Sequence, residues 1–151
     1  MMKIPLTLLL SILSFYSSVP QQNSMEPISK IEWCICNNVS PEKSDILDFF
    51  KTIASLTNEV ETTEYSNELL FTLLNDYPYV TIVAIADMRR PYRDKIYAQL
   101  HNPIHDGIDP GSIYEKLQSI HFATLKHKLI LRKVQQIIFS LEIPISRGGL
   151  Q

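Results

Sequence analysis

Apolar residues recur at spacings of three and four along most of the chain, and that rhythm predicts helices. Ile46, Leu47, Phe49, Phe50, Ile53 and Leu56 fall on one face, so residues 41–57 are expected to be helical. Ser40-Pro41-Glu42 marks the start: a hydroxyl able to cap, a proline suited to the first helical position and an acid for the first turn. Glu59 to Tyr65 reads as an acidic, threonine-rich connection. Ser66 is then placed to cap a helix over 67–75 carrying Leu69, Leu70, Leu73 and Leu74, which Tyr77-Pro78 breaks. Arg90-Pro91 restarts the chain into residues 92–100. Pro110 and the capping box Ser112-Ile-Tyr-Glu115 open a short helix through Ile120. The last helix is expected over 122–141, with Ile130, Val134, Ile137, Ile138 and Leu141 on one side and Lys126, Lys128, Arg132 and Lys133 outside.

One segment resists this rhythm. Tyr79-Val-Thr-Ile-Val-Ala-Ile-Ala86 is apolar throughout and rich in β-branched residues, which suits a buried strand, yet Pro78 can equally open a buried helix. Helix is the reading adopted, because no second strand is visible and an isolated strand leaves its backbone groups unpaired. The fold expected is therefore all-α, a single small bundle of five or six helices. The alternative is an α+β fold with a strand at 79–86.

The bundle is expected to follow a signal segment. Lys3 is the only charge before Glu26, and Ile4 to Tyr16 is apolar before a polar exit at Ser17, Ser18 and Gln21, the outline of a secretory leader over residues 1–20. That stretch falls short of the roughly 20 apolar residues of a membrane helix, although an uncleaved anchor is the alternative. Residues 21–151 then form one domain, about 130 residues being enough to bury a core without staples. The expected location is periplasmic or secreted, with no integral membrane domain once the leader is cleaved. No lipid-accepting or scaffold pattern of cysteines is present.

The formal charge of −2 excludes a generally basic nucleic-acid binder, so no nucleic acid is expected as partner. Its distribution says more. Eight acids lie between Pro41 and Asp76 against Lys43 and Lys51, while nine Lys or Arg lie between Met88 and Lys133 against four acids. Either the halves face each other through complementary fields, or solvate their outer faces, or they give a bipolar surface that steers a charged partner. The first pair of readings is preferred, since exposed ion pairs are individually weak.

Four clusters could carry chemistry. Cys34 and Cys36 sit two apart, which on a helix sends them to nearly opposite sides and forbids a direct bridge; buried free thiols are expected, ahead of a strained redox disulfide or a metal or interchain role. His101, His105, Asp106 and Asp109 offer nitrogen and oxygen donors for a metal, although Asp106-Gly107 and Asp109-Pro110-Gly111 are equally turn chemistry, which is the reading preferred. Arg89, Arg90, Tyr92 and Arg93 could grip an anionic group, or could be cations at a helix carboxyl end. Tyr65, Tyr77, Tyr79, Tyr92 and Tyr97 suit an interface, or cap the core with wet hydroxyls.

No phosphate loop, nucleophile elbow or paired-cysteine zinc signature occurs, so binding ranks ahead of catalysis and no cofactor is expected. In outline the chain resembles periplasmic immunity proteins that block cell-wall-degrading toxins, and that likeness, which is one of architecture alone, implies an inhibitor of another protein. The contact residues expected are Tyr77, Tyr79, Arg89, Arg90, Tyr92 and Arg93. The rival is a small metal-binding protein or metal-dependent hydrolase using the 101–109 loop.

Overall fold

A computed structural model describes residues 25–56, 60–104 and 106–142. The expected leader at 1–20 lies outside them. Among the described residues the chain forms seven helices and no strand: α1 (Glu26–Cys36), α2 (Lys43–Ser55), α3 (Val60–Asp76), α4 (Pro78–Asp87), α5 (Arg90–Leu100), α6 (Pro110–Gln118) and α7 (Leu125–Glu142). This exceeds the five or six expected, and the alternative strand at 79–86 is absent.

α4 explains why. Thr81, Ile82, Ala84, Ile85 and Ala86 are all buried, and α4 packs against α2, α3, α6 and α7. A helix walled on so many sides is apolar nearly all round, which erases the stripe that betrays an ordinary surface helix. Pro78 opens it at the first position, where a missing N–H costs nothing. The axes of α3 and α4 bend by 117° across that break. Thr81 ties the two helices at the break: its hydroxyl proton is shared between the carbonyls of Tyr77 at 2.7 Å and Leu73 at 3.1 Å, which also accept the Thr81 and Tyr77 N–H groups.

The starts of α2, α3, α6 and α7 differ from the sequence signals. Glu42, with an extended backbone, is the N-cap of α2 and gives no side-chain cap bond, so Ser40-Pro41 precedes the helix rather than opening it. Residues 60–65, expected as a connection, are already the first turns of α3. Ser66 is therefore no cap: it is buried inside α3 and its hydroxyl donates back to the carbonyl of Thr62 at 2.6 Å. In α6 the cap is Asp109, whose carboxylate accepts from the Ser112 N–H at 3.2 Å, rather than Ser112 itself. α7 begins after Thr124, whose hydroxyl accepts from the N–H of His127, so residues 122–124 lie outside it.

Polar side chains stitch the helix ends together. Lys95 and Gln99 of α5 donate to the carbonyls of Ala54 and Ile53 at the end of α2, at 2.7 and 3.3 Å. Gln135 of α7 does the same for Leu117 of α6 at 3.0 Å. Asn67, almost fully buried in α3, donates to Gln99 O at 3.1 Å and accepts from the Ile104 N–H at 3.1 Å. It fastens the start of the 101–109 loop to the bundle.

Candidate functional site

The six expected contact residues flank α4. Tyr77 is its N-cap and half-buried against the core, while Tyr79, the second residue of the helix, is 58% exposed. Arg89 is the N-cap of α5, followed by Arg90 in its first turn, and Tyr92 and Arg93 on the next positions. The ten residues of α4, about 15 Å long, lie between Tyr77 and Arg89, with Tyr79 at their start. The contact residues are two clusters rather than one, and Tyr77 belongs more to the core than to the surface.

The region before and into α7 connects them. Phe122, buried, stacks on Tyr79 with ring centroids 4.8 Å apart, and its other neighbour is His127 at 5.1 Å. Lys126 reaches the opposite end of α4, donating to Asp87 at 2.8 Å. Residues 122–126 thus run from the tyrosine cluster to the residue that precedes the arginines by two.

The chemistry at the α4–α5 junction reverses an ordinary pattern. Asp87 is an anion at a helix carboxyl end, an unfavourable place for it. Two lysines from distant elements neutralise it: Lys126 on one oxygen and Lys43 on the other, both at 2.8 Å. Their hydrogen bonds, Lys126's first, hold the Asp87 carboxyl down to about 2. The arginines do not serve that helix end. They stand at the amino end of α5, whose first turn carries no acid and whose dipole disfavours cations. Arg90 meets Asp94 at only 3.7 Å on an exposed surface, and among the described residues Arg89 has no ion-pair partner. Guanidinium groups placed against the local field and left in solvent are available to a ligand.

The charge separation also survives folding. Among the described residues no acid of 41–76 pairs with a cation of 88–133. Among the described residues the ionic link between the halves runs through Asp87, which lies outside both stretches and takes Lys43 from one and Lys126 from the other.

The other clusters separate. Cys34 is buried, where desolvation pushes its thiol up, but Cys36 is exposed; both are free, and the expectation of two buried thiols fails for Cys36. The two point to different sides of α1, as spacing on a helix requires. In the metal candidate set, His101 is the exposed C-cap of α5, Asp106 is exposed and Asp109 is committed to capping α6, while His105 lies outside the described residues. Among the described residues no three His, Cys, Asp or Glu side chains are grouped to hold a metal. A cleft of ≈ 270 Å³ lies beside this loop, lined by Glu68, Asn75, Asp109, Ser112 and Ile113 among others. Asn75 there already accepts from Lys116 at 2.9 Å. Tyr65 and Tyr97 have raised phenols, chiefly through desolvation, with a hydrogen bond to Glu32 adding to the effect at Tyr65.

Leu125 and Leu129 are surface residues that the sequence reading passed over. They are 69% and 53% exposed, beside the segment that links the two clusters. The signal was present, since both fall off the stripe of Ile130, Val134, Ile137, Ile138 and Leu141. Exposed apolar side chains become informative where they gather into a patch rather than singly. No protein-family model, curated protein or solved structure matches the chain.

Proposed function

We propose that the chain is an exported helical protein that binds another protein rather than catalysing a reaction, acting as an inhibitor or immunity-type factor in the cell envelope or outside the cell. What supports this most is the α4–α5 junction, where Arg89 and Arg90 stand exposed against the α5 dipole beside an exposed Tyr92. Arginine and tyrosine are the residue types that most often anchor protein interfaces. Tyr79, held flat on Phe122, is a second rigid aromatic surface, and little entropy is lost in using it.

Capture from periplasm or culture fluid tests the reading. Wild type should retain a stoichiometric protein, and Arg90→Ala with Tyr92→Ala should weaken retention by about 30-fold or more, the effect of one hot spot. Tyr79→Ala, in the other cluster, reports whether one partner spans both. An unchanged captured set in the double variant removes the junction from the interface.

A further inference from the structure

The outer face of α7 carries an arrangement that a tyrosine–arginine interface does not use. At about 100° per residue, Leu125, Leu129, Arg132, Gln136 and Phe139 lie within roughly 40° of one line along the helix, flanked by Lys128 and Lys133. That line is opposite the face that buries Ile130, Leu131, Val134, Ile137 and Ile138. Leu125, Leu129 and Phe139 are exposed there, Phe139 at 46% with its ring tilted by 41° against that of Tyr114 at 5.3 Å. From 125 to 139 the stripe is about 21 Å long. No acid occurs in α7 before Glu142. Lys126 is occupied by Asp87, but Lys128, Arg132 and Lys133 are exposed and have no ion-pair partner among the described residues.

The residue types choose between occupants. Protein interfaces under-use lysine and draw little of their binding energy from leucine. A helix lying in a lipid surface uses both, with leucine and phenylalanine entering the boundary between headgroups and chains while lysine and arginine meet anionic headgroups. We propose that the outer face of α7 is a peripheral contact for an anionic lipid bilayer, with Leu125, Leu129 and Phe139 inserting and Lys128, Arg132 and Lys133 pairing with headgroup charge. The molecule as a whole has a net charge of −2 and is repelled by such a surface, so attraction must come from a local field.

The test is co-sedimentation of the full chain with vesicles of equal phosphatidylglycerol and phosphatidylcholine, against phosphatidylcholine alone. Any affinity of the N-terminal apolar segment is common to every variant, and the quantity read is the preference for anionic vesicles. Wild type should prefer them at least tenfold at low salt. Lys128→Gln with Arg132→Gln and Lys133→Gln should reduce binding to anionic vesicles by about 100-fold, and Leu125→Ser with Leu129→Ser by about tenfold. All five side chains are exposed, and an unchanged urea midpoint confirms that the variants fold. A wild type without the preference, or a cation variant that keeps it, overturns the proposal. So does a wild type that ignores vesicles but loses a co-purifying protein through the leucine variant, which assigns the face to a protein instead.

Discussion

α3 and α7 are nearly equal in length and both bury a leucine- or isoleucine-rich side, yet they differ inside and out. α3 places polar Ser66 and Asn67 among its buried residues and shows solvent Glu64, Glu68 and Asp76. α7 buries only aliphatic side chains and shows solvent cations interleaved with Leu125, Leu129 and Phe139. The contrast separates two uses of a helix. Inside α3, polar atoms fix where a loop is fastened. On α7, the surplus of apolar side chains faces outward, where it adds little to the stability of the bundle.

The sharpest break of that contrast is between the two faces of α7. Ile137→Ala, at a fully buried site, should destabilise the fold by about 2–5 kcal/mol, as should Leu70→Ala in α3. Leu129→Ala should stay within about 0.5 kcal/mol. Urea denaturation of the three variants checks this; a large loss at Leu129 would mean that its side chain is part of the core.

Next in size is the polar interior of α3. Asn67→Ala leaves the Ile104 N–H without its acceptor and takes one donor from the Gln99 carbonyl, which keeps the Asn102 N–H. A loss of about 1–3 kcal/mol is expected, with faster amide exchange at Ile104. Asn67→Leu, which keeps bulk, should not restore it. Equal stability of wild type and the alanine variant would make the latch irrelevant.

The smallest effect belongs to Asp87, shared by Lys43 of α2 and Lys126 of α7. Its carboxyl lies lower in the folded chain than in the unfolded one, so its contribution is complete above the unfolded value and is lost as pH falls from about 4 to about 2. Allowing for solvent screening, Asp87→Asn should cost about 1 kcal/mol at pH 7. The difference from wild type should fall steeply toward pH 2, vanish below it and shrink in high salt. A difference independent of pH would assign the cost to packing.

Much of the architecture could be read from residue spacing. α2 and α7 have one apolar side each and were visible as stripes, α6 was marked by Pro110 and the Ser112–Glu115 pattern, and Pro78 marked the start of α4 although its even hydrophobicity hid its period. The start of α3 was hidden because threonine and glutamate suit both loops and exposed helix turns, and Ser66 resembled a cap. Only its burial, with the hydroxyl turned back to Thr62, distinguishes a serine inside a helix from one before it. At the candidate site, residue types were legible but their arrangement was not. Two clusters in one stretch of sequence are held at opposite ends of a helix about 15 Å long. The seating of residues 122–126 along α4 depends on contacts from across the chain that no local pattern carries.

The central position of α4 also sets the order in which the protein can be completed. Two of its walls, α2 and α3, precede it in the chain, but α6 and α7 follow it. Until residues beyond Leu125 are made and docked, one side of its most apolar helix has nothing to lie against. A chain emerging from the ribosome therefore carries an unfinished core until α7 follows, with apolar surface open to aggregation. Truncation before α7 should yield insoluble protein rather than a smaller bundle, because the eighteen residues of that helix complete the wall around α4.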